Sequence, residues 1–209
     1  MEKQKNVLMD FHKPKDPLGD IFNLQEKFGK KFCNFYTNDA VYKAVWCDIF
    51  SDCVEQEACE LRDWLPWKHW KNYEDFKYNI NEIRFEIIDM LHFVVSIALV
   101  ENYTHKDFFT KGMGFELRHM PLYDCLEKSL LRLKGEAISI YMIDTSIEEG
   151  KSAITQEIIR TLRTHYHKPE KLLKIVLTLC AVWDMNAHDV YNYYRSKNAE
   201  NHARQERGY

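Results

Sequence analysis

The chain of 209 residues is long enough to bury a sizeable core, as one large domain or two small ones. Its formal net charge of −3 removes any global electrostatic case for nucleic-acid or membrane-surface binding and leaves only a local basic cluster to serve an anionic ligand. Seven Gly and five Pro are few, which favours long uninterrupted elements over the many turns of an all-β domain.

The first periodic segment is 18–32, where Leu18, Ile21, Phe22, Gln25, Phe28 and Phe32 recur at three- and four-residue steps. Thr37, Asn38 or Asp39 can cap a second helix that runs to about Trp64 and stops before Pro66. Residues 66–78 read as a loop crowded with aromatics and lysines. Asn79 followed by Glu82 predicts the start of a third helix over about 80–102, in a capping-box-like pattern. The connection 104–121 holds two glycines and reads as irregular. Leu122, Leu126, Leu130, Leu133, Ala137, Ile140 and Tyr141 predict a helix over 122–147, and Gly150 is expected to separate it from the next, 152–166. Pro169 suits the first turn of a helix over 169–184, and Asn186 the cap of a last one over 186–205. The expected fold is one all-α domain over 1–209, a bundle of antiparallel helix pairs.

The six cysteines, Cys33, Cys47, Cys53, Cys59, Cys125 and Cys180, form no CxxC pair, so neither a zinc ribbon nor a thioredoxin motif is present. Four fall in apolar helical patterns, and reduced structural thiols in a cytoplasmic protein are expected. The N-terminus MEKQKNVLMDFHKPKD lacks the apolar core of a signal peptide. The longest apolar run, FVVSIALV, is far shorter than the roughly 20 residues that cross a bilayer. A soluble protein with no membrane and no nucleic-acid partner is expected.

Two acid pairs carry chemistry. EACE places Glu57 and Glu60 three residues apart, and EIID places Glu86 and Asp89 at the same spacing. On a helix each pair shares one face. Both pairs lie a similar distance from the loop that joins their helices, so an antiparallel hairpin sets them face to face. Four converging carboxylates repel one another unless they face water, bind protons or hold cations. Oxygen-only ligands suit Mg²⁺, or Mn²⁺, which also bridge to phosphates. A di-iron reading needs two Glu-x-x-His motifs, and only Glu116–His119 supplies one, in the glycine-rich connection. At the C-terminal end Lys197, Asn201 and Arg204 share a helix face, flanked by Asn198 and Gln205. They can clamp phosphates, or they can form a solvated last turn that favours cations near a helix C-terminus.

The runs EACELRDWLPWKHWKN, EIRFEIIDMLHF and YRSKNAENHARQERGY together resemble the dimeric dUTPases of the all-α NTP pyrophosphatase superfamily, found in some bacteria, trypanosomatids and phages. They cover about a fifth of the chain, in the family's order. The resemblance implies a homodimer that hydrolyses dUTP or dUDP at the α-phosphorus to give dUMP, with Mg²⁺ or Mn²⁺ as cofactor. It implies that Glu57, Glu60, Glu86 and Asp89 are metal ligands and that Glu60 activates the attacking water. It implies that Gln25 reads the base, that Trp70 and Phe93 enclose the uracil, and that Lys197, Asn198, Asn201, Arg204 and Tyr209 take the phosphates. The family usually has Asn four residues after the glutamine where this chain has Gly29, so one base contact is missing or comes from elsewhere. The alternatives are a related pyrophosphatase acting on dCTP or mixed nucleotides, and a helical protein that binds a regulatory protein partner. The latter role is compatible with catalysis.

Overall fold

The computed structural model describes residues 7–32, 39–68, 70–162, 164–165 and 168–208. Among them are eight α-helices and no strand. α1 (Pro17–Phe32), α2 (Ala40–Asp63) and α3 (Ile80–Val100) precede a set of short helical turns that begins with α4 (His105–Asp107). α5 (Leu122–Tyr141), α6 (Glu148–Leu162), α7 (Pro169–Val182) and α8 (Ala187–Glu206) follow. None of these helices is long and apolar enough to cross a membrane.

Three helix starts follow from their capping residues. The Asp39 carboxylate accepts from the amides of Val41 and Tyr42 at 2.8 and 3.2 Å and opens α2. The other two candidates, Thr37 and Asn38, lie outside the described residues, as do Cys33 and Tyr209. The Asn79 side chain accepts from the Glu82 amide at 3.3 Å. Asn186 and Asp189 satisfy each other's backbone amides reciprocally at 2.9 and 3.0 Å. Each bond removes an orphan donor from a first turn.

α3 is the centre of the molecule, with α2, α7, α8 and α1 packed around it. Its apolar residues cover almost its whole circumference rather than one stripe. Ile83, Phe85, Ile87, Ile88, Met90, Leu91, Val94, Val95, Ile97 and Ala98 are all buried. A helix apolar on all sides belongs inside a core, so any carboxylate on α3 starts from a desolvated position.

Three boundaries differ from the sequence reading. Residues 104–121 are not wholly irregular. Thr104 and Asp107 form a reciprocal capping box, α4 runs into a π-turn at Phe108–Gly112, and a 3₁₀ turn follows at Leu117–His119. α5 stops at Tyr141, where Met142 turns left-handed at φ 52°, six residues before the predicted end. The leucine periodicity holds to Ala137, but Ile138 and Ile140 are exposed, so the pattern there runs on without a core to bury it. Gly150 lies inside α6 rather than before it. A Cβ at that position would stand 1.6 Å from the Asp144 carbonyl oxygen, so the glycine permits a close backbone approach.

The turn between α7 and α8 is tied to its neighbours. Arg84 of α3 donates to the Trp183 carbonyl at 2.9 and 3.0 Å, and the Trp183 indole donates to Thr155 of α6 at 2.9 Å. Asp184 receives Lys151 at 2.6 Å and also Lys134. Residues 7–16 run as a strap that meets α8. The Met9 amide donates to Ser196 at 2.9 Å, the Phe11 amide to Asn192 at 3.2 Å, and Arg195 lies 4.0 Å over the Phe11 ring. Of the described cysteines all are free. Cys47, Cys125 and Cys180 are buried, Cys53 is half-buried and Cys59 is exposed.

Candidate functional site

α2 and α3 pack side by side across the loop 64–79 and bring three of the four predicted acids together. Glu57, Glu60 and Glu86 each place a carboxylate oxygen within 4.8 Å of the others. Glu86 is buried, and the Trp64 indole donates to its Oε1 at 3.0 Å. This contact escaped the sequence reading, which took Trp64 only as the end of α2. Glu60 accepts from Gln56 one turn earlier at 3.4 Å.

The electrostatics of the cluster are unbalanced. Burial pushes the Glu57 carboxyl up to about 8, with the charges of Asp89, Glu60 and Glu86 adding to it and Lys197 opposing it. Burial outranks the like charges because a carboxylate on this hairpin loses water on several sides at once. Such a group holds a proton at neutral pH or requires a cation beside it.

Asp89 does not join the other three directly. It receives Lys197 Nζ at 2.8 Å. Lys197 is only 6% exposed, so this part of α8 is not a solvated last turn. Burial works against the ammonium, but Asp89 and then Glu200 more than offset it and Lys197 stays charged. Lys197 also reaches Glu200 at 3.4 Å, and Arg204 pairs with Glu200 at 2.5 Å. Asn198 is buried with its Nδ2 unpartnered among the described residues. Asn201 is half-buried beside them. Thus the Lys197–Asp89 pair links the basic face of α8 to the acids of α3.

A polar network lies beside it in the core. Gln25 of α1 is buried, and both ends of its amide are engaged. Tyr194 OH donates to Oε1 at 2.6 Å, and Nε2 donates to Ser96 Oγ at 2.8 Å. Ser96 spends its own proton on the His92 carbonyl at 3.0 Å, so it can only accept from Gln25. That chain of donors fixes which end of the amide is oxygen and which is nitrogen. One Nε2 hydrogen and one Oε1 lone pair stay uncommitted by these two bonds. His92 stacks on Tyr194 with ring centroids 3.9 Å apart. Its Nδ1 faces the Ile88 carbonyl at 2.9 Å, and burial pushes the imidazole down to about 3, so it is neutral. His92 is thus packed in the core as a neutral ring, with its Nε2 unpartnered among the described residues. No periodicity in the sequence marks Ser96 or Tyr194 as partners of Gln25.

The aromatic candidates stand apart in character. Phe93 is half-buried, with its ring 6.3 Å from Phe50 of α2, which stacks on Trp46. Trp70 is 64% exposed on the loop, edge-on to Trp67 at 5.9 Å, and Arg62 lies over the Trp67 ring. Trp70 is not a core residue. Gly29 is buried within α1 and offers no side chain to a ligand.

The donor set fits a hard divalent cation. It is all oxygen, it converges within one coordination sphere's reach, and Lys197 offsets only part of the strain on its most perturbed member. A family model described as dUTPase matches residues 18–209, nearly the whole chain. No match is found among curated proteins.

Proposed function

Because this chain belongs to the all-α dUTPase family and is a dUTP diphosphatase, we propose that it converts dUTP, and dUDP, to dUMP by attack at the α-phosphorus, with Mg²⁺ or Mn²⁺ held by Glu57, Glu60, Glu86 and Asp89. The observation that carries this reading is the convergence of Glu57, Glu60 and Glu86, with Asp89 joined to the basic face through Lys197. The chain acts as a single all-α catalytic domain in the cytoplasm.

A divalent cation held by these carboxylates would neutralise charge on the phosphate oxygens and make water more acidic. Glu60 takes the proton of the attacking water on a carboxylate oxygen. Trp64 holds Glu86 in one orientation, so the ligand face of that carboxylate is set before substrate arrives. Lys197, Arg204, Asn198 and Asn201, with Tyr209 beyond them, take the phosphate oxygens. Arg204 can bind bidentately and Lys197 acts as a point charge.

At the other end Gln25 reads the base edge, with Trp70 and Phe93 enclosing the ring. Uracil offers a donor at N3 flanked by carbonyl acceptors. Cytosine offers the reverse at N3 and N4. An amide held by Tyr194 and Ser96 cannot flip to suit cytosine without breaking both bonds. This lock favours uracil even though Gly29 supplies no contact.

Incubation with dUTP, dCTP, dTTP and UTP in the presence of Mg²⁺ tests the reading. Pyrophosphate is expected mainly from dUTP. Equal turnover of dCTP would replace it with a mixed-nucleotide pyrophosphatase, and no release from any of the four would overturn it.

The enzyme is further proposed to be a homodimer. Val41, Val45 and Ile49 step by four along one face of α2 and are 72%, 48% and 42% exposed, with Tyr42 beside them. An apolar stripe of this kind is costly in water and suits an isologous interface. Light scattering on a sizing column is expected to give twice the chain mass, and the double variant Val45→Glu/Ile49→Glu half of that. A wild-type chain that runs as a monomer at micromolar concentration would contradict it.

A further inference from the structure

We propose that Glu200 is a built-in competitor of the substrate's outer phosphates. It holds the phosphate-binding cations until nucleotide and divalent cation arrive together. The inference rests on the assignment of Lys197 and Arg204 to the phosphates.

The geometry is that of an anion already seated in an anion site. Glu200 Oε2 lies 3.4 Å from Lys197 Nζ, and Glu200 Oε1 lies 2.5 Å from an Arg204 nitrogen. One carboxylate oxygen thus faces each cation, as two oxygens of a phosphate would. The residue sits three places after Lys197 and four before Arg204, the spacing that puts all three on one face of α8. Lys197 is in turn bonded to Asp89 at 2.8 Å. Asp89, Lys197, Glu200 and Arg204 therefore form a ladder of alternating sign whose formal charges sum to zero.

A neutral ladder is a poor trap for a free anion. A phosphate approaching Lys197 and Arg204 meets the Glu200 charge at contact distance and must displace it. The ladder is also partly buried, so solvent screens this repulsion less than it would on an open helix. A divalent cation at Asp89 changes the balance, because it takes over the charge that Lys197 now neutralises. Lys197 is then released towards the phosphate. Glu200 thereby makes nucleotide binding depend on the cation, and it weakens the hold on pyrophosphate once the reaction is over.

Two readouts test this. With EDTA present, calorimetric titration of inorganic pyrophosphate should show about 3- to 10-fold tighter binding to Glu200→Gln than to wild type. In steady state with Mg²⁺, Glu200→Gln should lower the KM for dUTP and strengthen product inhibition by pyrophosphate. Glu200→Ala should act alike and Glu200→Asp should behave as wild type. Adding Arg204→Ala should shrink the effect of Glu200→Gln, since half of what Glu200 competes for is gone. If Arg204→Ala raises KM while Glu200→Gln leaves KM and pyrophosphate affinity unchanged or weaker, the competitor role is wrong and the phosphate assignment stands. If Arg204→Ala and Lys197→Met both keep the wild-type KM, the phosphate assignment fails and takes the inference with it.

Discussion

Glu60→Gln is expected to fold normally and to lose about 10²- to 10⁴-fold in kcat on dUTP. The substitution keeps the shape of the side chain and its hydrogen-bonding reach, but an amide cannot accept the proton of the attacking water. Glu60 stands on α2 in the acid cluster, with a carboxylate oxygen within 4.8 Å of those of Glu57 and Glu86. The variant also removes one charge from a set of repelling carboxylates, so its melting temperature should not fall. A pyrophosphate-release assay and a thermal melt together decide the matter. Turnover at the wild-type rate would remove Glu60 from the proton step, and a lost fold would show that the residue is structural.

The second large effect is a stability that falls as pH rises and is restored by Mg²⁺. Glu57 takes up its proton at about 8 in the folded protein, against 4.5 for an ordinary glutamate. Between those values the folded state holds more protons than the unfolded one, so raising the pH through this window destabilises the metal-free protein. For this group the loss is on the order of a few kcal/mol by pH 8. A divalent cation binds the ionised carboxylates and not their protonated forms, so its stabilisation grows over the same window. Thermal unfolding in EDTA should show a midpoint that drops from pH 5.5 to 8.5. The same scan in excess Mg²⁺ should be flatter, with the two curves several degrees apart at the alkaline end. Glu57→Gln should flatten the EDTA curve. A flat wild-type curve in EDTA would mean that these acids are solvated and do not repel one another.

The acid pairs were legible because helix period and loop position are one-dimensional information. Glu57 with Glu60 and Glu86 with Asp89 follow from spacing, and the caps Asp39, Asn79 and Asn186 follow from residue type. What spacing could not give is which residues meet across the core. Trp64 with Glu86, Lys197 with Asp89, and Tyr194 with Gln25 are separated by 22, 108 and 169 positions and obey no period. The centrality of α3 was also hidden, since acids spaced among apolar residues are equally what an ordinary amphipathic helix shows. The three acids of this helix differ in their surroundings. Glu82 stands at the helix start by the Asn79 cap, and Glu86 and Asp89 lie deeper, one on an indole and one on an ammonium. The end of α5 was misplaced because the predicted pattern ends at Ile140 and Tyr141, and nothing in it marks the left-handed turn at Met142 that stops the helix. Gly150 was misread because a glycine that admits a neighbouring carbonyl and a glycine that breaks a helix look alike in a sequence.

The carboxylates of α2 and α3 are proposed to form a divalent-cation site. Mn²⁺ binding to the wild-type protein and to Glu86→Gln, followed by electron paramagnetic resonance at pH 8, tests it most directly. Wild-type protein is expected to take up Mn²⁺ with an affinity that falls about 10-fold or more in Glu86→Gln. Equal affinity in the two proteins, or no uptake by either, would contradict it.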